Sequence, residues 1–187
     1  MLYLPKGAVL MVITISKQFA SGGHEIGQKL AEKLGFKFYD KELIYKAAEM
    51  SGISPDILKE VDEKAASSLL YSLSLGASSI VHGFSGTAQL PINDRVFIAQ
   101  QKLIKEYANS NCIIVGRCAD YVLKDNKNCI KIFIYADFDF RRERAINVEG
   151  IDENSVNAFI AKKDKTRANY YNYYADIKWG DYNNYDL

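Results

Sequence analysis

The 187 residues predict a three-layer α/β/α fold, with helices on both faces of a mostly parallel sheet. Short apolar runs rich in β-branched residues recur along the chain, as in strands buried on both faces. Segments of helical periodicity separate them, so strand and helix alternate. Anion-binding residue types fall at the carboxyl ends of these runs, where open α/β sheets bind their ligands.

Val9–Ile15 reads as a central strand, and residues 1–10, ahead of a second methionine at Met11, read as an extension of the domain. The loop Lys17–Gly23 leads into a helix from His24 to Leu34, with Ile26, Leu30 and Leu34 on one face and Gly35 as its stop. Phe36–Tyr39 is a short strand, Asp40 a cap, and 41–50 a second helix. Ser54-Pro55 opens a further helix to Ala65. The Ser-, Gly- and Ala-rich stretch from Ser67 to Leu90 reads equally as a mobile cover or as a linker, and His82 within it reads as structural or exposed. Ile92–Ser110 predicts a long amphipathic helix, Cys112–Val115 a buried strand, Ala119–Leu123 a short helix and Ile130–Tyr135 another strand. Asp137 caps a helix to Ile146, and a last helix covers Glu153–Tyr171. One domain spans 1–187, with a helical insertion over about 41–95 and a lid over about 141–175.

Composition limits the function classes. Hydrophobic residues make up 48% and charged residues 25%, the balance of an ordinary soluble globule. A net charge of +1 offers no global field for nucleic acid or membrane, so anion binding must come from local clusters. The apolar run Ala8–Ile15 is too short to span a bilayer, and no signal-peptide pattern accompanies it. Three cysteines without a C-x-x-C pair argue for a reduced, cytoplasmic setting and against a structural zinc site.

The chemistry concentrates in Ala20-Ser21-Gly22-Gly23-His24-Glu25-Ile26-Gly27, between strand and helix. Glycines let backbone N–H groups converge on an anion, and the helix N-terminus adds unpaired donors. Ser21, Gly22, Gly23, His24 and Glu25 are therefore the candidate donor-phosphate contacts. A strict G-x-x-x-x-G-K-[ST] pattern is absent. Gly23 stands where the lysine belongs and His24 where the Mg²⁺-binding hydroxyl belongs. Lys17, folded back over the loop, or His24 as a cation can take up the lysine's work. Arg141, Arg142 and Arg144 share one helix, and Arg141 and Arg144 are the candidates to close over phosphates; a solvated helix face is the alternative.

These residues carry a resemblance. Val12–Gly27, Leu30–Gly35, Phe38–Ile44, Leu90–Asp94, Ile114–Tyr121, Phe133–Ala136 and Asp164–Tyr171 together resemble the cytidylate kinase-like family, relatives of the true cytidylate kinases, from Met11 onward. The resemblance implies a P-loop kinase-like fold, ATP and Mg²⁺ as cofactors, and phosphoryl transfer to a nucleoside monophosphate such as CMP. It also implies roles. Asp40, Tyr45 and Lys46 are similar to the acceptor-binding Asp-Thr-Gly-x-x-Tyr-Arg segment, with Lys46 in place of its arginine. Gly116-Arg117-Cys118 is similar to the acceptor-binding Gly-Arg-Asp, with the aspartate replaced and Asp120 two residues on. Lys162–Arg167 is similar to the lid pattern Arg-Arg-Asp-x-x-Arg, with Arg167 matching directly. Glu25 and Asp120 are candidates to touch Mg²⁺-bound water, and no protein metal site is expected. The chain departs from the family where relatives commonly have arginine at the His24 position and continue past Leu187 into a final strand. Expected partners are a small nucleotide and at most a second copy of the chain, with no nucleic acid polymer and no membrane. A non-catalytic phosphate-binding module and a kinase of a non-nucleotide acceptor remain open.

Overall fold

The computed structural model describes residues 10–40, 42–50, 52 and 92–187. The expected helix Pro55–Ala65, the stretch 67–90 with His82, and residues 1–9 lie outside them. Two compact units divide the chain, one of residues 1–40 and 104–187, the other of residues 41–103.

Strand β1, Val12–Lys17, is buried along nearly its whole length, which explains why it reads as an unbroken apolar run. It pairs in parallel with β3, Cys112–Val115, on one side and with β4, Cys129–Ile134, on the other. The three-residue β2, Lys37–Tyr39, pairs with β3, giving the order β2-β3-β1-β4. The chain leaves β1 in one direction for β2 and later returns to its other side for β4. Strand order therefore reverses at β1, and open α/β sheets bind ligands beyond the carboxyl ends of their strands at such a point.

Helix α1, Gly23–Leu34, starts one residue earlier than expected and ends at Gly35 in the left-handed conformation. Ala31, Leu30 and Leu34 pack on Ile13, Ile15, Ile113 and Val115 of the sheet. Gly27 is where helix and sheet come closest: a Cβ there would lie 3.1 Å from Ile15 Cδ1 and 3.1 Å from Phe38 Cε2. Helix α2, Glu42–Met50, belongs to the second unit and buries Leu43, Ala47 and Ala48. Helix α3, Ile92–Tyr107, stops three residues short of the expected Ser110; Ala108 and Asn109 form a closing turn, and Tyr107 stacks on Tyr39 at 4.0 Å.

Helix α4, Ala119–Val122, follows β3, and α5, Phe138–Asn147, follows β4. Asp137 is the N-cap of α5, although its side chain makes no capping hydrogen bond. Helix α6, Val156–Ala175, extends four residues past the expected Tyr171 because Tyr171 and Ala175 continue its buried stripe. A second core forms under the β1–α1 loop from Ala20, Ala145, Val156 and Ile160, flanked by Phe19, Ile146 and Ile151. The chain's last residues run along the outer edge of β4: Phe133 N donates to Leu187 O at 2.9 Å and Asp186 N donates to Lys131 O at 2.7 Å.

Gly27→Val should force α1 off the sheet, because both contacting groups are themselves packed. A loss of about 1–3 kcal/mol is expected from overpacking, measured as a lower urea midpoint with unchanged slope.

Candidate functional site

The loop from Gln18 to Gly22 turns the chain from β1 into α1. Gln18 still belongs to the sheet edge, with its amide donating to Ile134 O at 3.0 Å and its side-chain Oε1 accepting from Ala136 N. Ala20 and Gly22 take left-handed conformations, φ 58° and 81°. Gly22 is the N-cap of α1, and no side chain caps it. The amides of Gly23, His24 and Glu25 occupy the first turn, which has no acceptor within the helix. They form, with the positive end of the helix dipole, an anion cradle. Ser21 points the other way: its hydroxyl donates to Gln18 O at 2.9 Å and the residue is buried.

Gly23, in the position of the missing lysine, has a steric reason. A Cβ at 23 would lie 2.8 Å from Lys17 Cβ and 2.9 Å from Lys17 Cδ. The Lys17 stem lies across the start of α1, in space that any side chain at 23 would need. Its ammonium is 3.7 Å from Asp40 Oδ2, and His24 Nδ1 lies 2.6 Å from the same oxygen. A carboxylate only accepts, so Nδ1 carries the hydrogen. One carboxylate at the end of β2 thus faces an ammonium from β1 and an imidazole N–H from α1.

Arginines surround this point. Arg167 of α6 donates to Lys17 O at 3.1 Å and lies over the Phe19 ring. Burial lowers its pKa; Asp164 and Asp40 pull the other way, and Arg117 adds to the lowering. It remains a cation at neutral pH. Arg117 sits at the end of β3 in a run of three left-handed residues, Gly116, Arg117 and Cys118, with φ of 70°, 59° and 55°. Non-glycine residues seldom adopt this conformation, and each costs on the order of 1–3 kcal/mol where the surroundings enforce it. Arg144 of α5 approaches the loop at Gly22, and its Nη2 donates to Glu25 Oε2 at 2.8 Å. Its buried Nε has no hydrogen-bond acceptor. Lys29 and Arg144 together hold the Glu25 carboxyl below its ordinary range. Arg141 is almost fully buried and bonds to Asp164 Oδ2 and to Phe19 O.

The structure therefore brings Lys17, Gly22, Gly23, His24, Glu25, Asp40, Arg144 and Arg167 around one loop. Tyr45 and Lys46 are on α2, in the second unit. Asp120 lies inward, 3% exposed, and accepts from the Tyr171 hydroxyl at 2.6 Å. Tyr185 approaches the same carboxylate, but its hydroxyl and Asp120 Oδ1 make no hydrogen bond of acceptable geometry. Burial raises the Cys118 thiol well above its ordinary value, which disfavours the thiolate. Among the described residues no group of three His, Cys, Asp or Glu side chains is placed to hold a metal, and no helix is long and apolar enough to cross a membrane. In the sequence Asp164 stands only as the aspartate of the lid pattern, and neither it nor Phe19 is assigned a role there. An acidic residue inside the basic run Lys162–Arg167 was the available signal for the first.

Burial raises the Asp120 pKa, with the Tyr171 hydroxyl opposing. The folded state then holds the proton more tightly than the unfolded chain, so this contribution is complete at acid pH and is lost as pH rises through the raised value. Asp120→Asn should flatten that part of the stability profile, read by urea titrations at several pH values.

A model of the cytidylate kinase-like family matches residues 12–187. The chain is 27% identical over 166 residues to a cytidylate kinase of Chloroflexus aggregans, covering 73% of this chain and 69% of that protein. A solved structure of an uncharacterised protein from Eubacterium ventriosum superposes with a TM-score of 0.67 at 30% identity, over 94% of this chain and 84% of that one. With the family's match running through the phosphate loop, the strand-end arginine and helix α6 alike, this chain belongs to the cytidylate kinase-like family.

Proposed function

We propose that the protein transfers the γ-phosphoryl group of ATP·Mg²⁺ to a nucleoside monophosphate, CMP-like, or to a similarly small anionic acceptor. The observation that carries this reading is the charge around the loop. Arg117 and Arg167 feel each other's charge, and Asp40 faces Lys17, His24 and Arg167. Arg141 takes up Asp164 and Arg144 takes up Glu25. Cations outnumber carboxylates beside a glycine-lined helix N-terminus, which suits a polyphosphate and a charged acceptor.

ATP supplies the phosphoryl group, and Mg²⁺ neutralises charge on its phosphate oxygens. The chain supplies position and field. The amides of Gly23, His24 and Glu25 hold donor phosphates. Lys17, lying over Gly23, delivers its ammonium from the strand instead of from the helix. Asp40, Tyr45, Lys46 and Arg117 hold the acceptor, with 41–95 as its binding insertion. Arg144 and Arg167, with Arg141 behind them, stabilise the charge on the transferring group, and 141–175 serves as the lid. These preorganised cations act in a partly buried setting, where they need no reorganisation during transfer.

The test is ATP turnover with Mg²⁺ against a panel of nucleoside monophosphates. Lys17→Ala and Arg167→Ala should each lower kcat by about 10²–10³-fold, the usual loss for one charge-stabilising group. Gly23→Lys placed in a Lys17→Gly background should restore part of the rate lost by Lys17→Gly, since only loss of the Lys17 Cβ together with the stem clears the space. ATP binding with no turnover on any acceptor would favour a non-catalytic phosphate-binding module or an acceptor outside the panel.

A further inference from the structure

The inward stripe of α6 is Val156, Ile160, Asp164, Arg167, Tyr171 and Ala175, spaced four, four, three, four and four residues apart, with Asp164 and Arg167 half-buried and the other four buried. Such spacing keeps one helical face inward. The stripe is apolar at its start and polar at Asp164 and Arg167, where it meets the phosphate loop. There the helix turns half-buried polar groups onto backbone atoms of the loop. Asp164 Oδ1 accepts from Phe19 N at 2.7 Å, and Asp164 Oδ2 accepts from Arg141 Nη1. The same Arg141 nitrogen reaches Phe19 O at 3.3 Å, and Arg167 reaches Lys17 O at 3.1 Å. The Phe19 ring packs edge-on against Phe159 of α6 at 5.4 Å.

Phe19 therefore has its amide, its carbonyl and its ring held from α5 and α6. The next residue, Ala20, is forced to φ 58°, an arrangement an alanine keeps only where its neighbours enforce it. Both carboxylate oxygens of Asp164 are engaged with protein groups, which leaves this residue turned toward the loop rather than toward a ligand. We propose that Asp164 is a positioning residue: through Phe19 and Arg141 it fixes the backbone conformation that aims the loop amides at the donor phosphates. This inference rests on the phosphate-loop reading above. It makes α5 and α6 part of the donor site's scaffold as well as the source of its arginines.

Asp164→Asn preserves shape and removes the charge that holds Arg141. Binding of Mg·ADP, measured by calorimetry on the full chain, should weaken on the order of tenfold to a hundredfold, as expected when binding groups lose their alignment. The KM for the acceptor should stay unchanged. Amide hydrogen exchange at Phe19, Ala20 and Ser21 should accelerate, while β1 and β3 keep their protection. Arg141→Met combined with Asp164→Asn should be little worse than Asp164→Asn alone, because the pair acts as one unit. Unchanged Mg·ADP affinity and unchanged exchange at residues 19–21 would overturn the proposal, as would a rise confined to the acceptor's KM. Absence of Mg·ADP binding in the wild-type chain would sink the kinase reading alone, and exchange at residues 19–21 would still decide the role of Asp164.

Discussion

The short connection from β1 to α1 is the constraint on which the remaining structure depends. Between Lys17 and Gly23 the chain must reverse from sheet to helix while leaving the first helical amides without internal partners. Such a conformation is not self-supporting. It needs left-handed backbone at Ala20 and Gly22, a close approach at Gly23, and external partners for the peptide groups around Phe19. The sheet supplies one side through Gln18 and β4. Helices α5 and α6 supply the other through a core that includes Ala20 itself.

Electrostatics follow from that geometry. Cations drawn from β1, β3, α5 and α6 converge on a loop whose own contribution is peptide dipoles. Burial of Arg167 disfavours its charge, and the carboxylates of Asp164 and Asp40 compensate. The exposed Glu25–Lys29 pair on α1 adds little to stability by comparison.

Much of this was legible in the sequence. Strands β1 and β3 announce themselves as apolar runs because both are buried, and the loop glycines sit where glycine permits the turn and the approach of Lys17. The unread parts depend on contacts between distant segments. Glu25 and Arg144 are 119 residues apart in the chain, and Phe19 and Asp164 are 145 apart. A basic run such as Lys162–Arg167 looks like a solvated helix face until the helix is docked, and only then do Asp164 and Arg167 become the inward pair. Asp120 was read as a ligand for the same reason: its spacing from Arg117 is visible, whereas the Tyr171 hydroxyl that draws it inward arrives from another helix. The end of α6 was misplaced because Tyr and Asn dilute its periodicity, although Tyr171 and Ala175 keep the stripe buried.

The crowding between Lys17 and Gly23 reaches beyond a single protein. With Lys17 present, a lysine at 23 has no room, since even its Cβ would come within 2.8 Å of the Lys17 stem. With Lys17 gone first, the cradle has lost the one lysine that lies across it. A lineage cannot move this charge between strand and helix by single substitutions without passing through a crowded loop or a weakened one. The two positions are coupled in the sense that each residue's tolerance depends on the other.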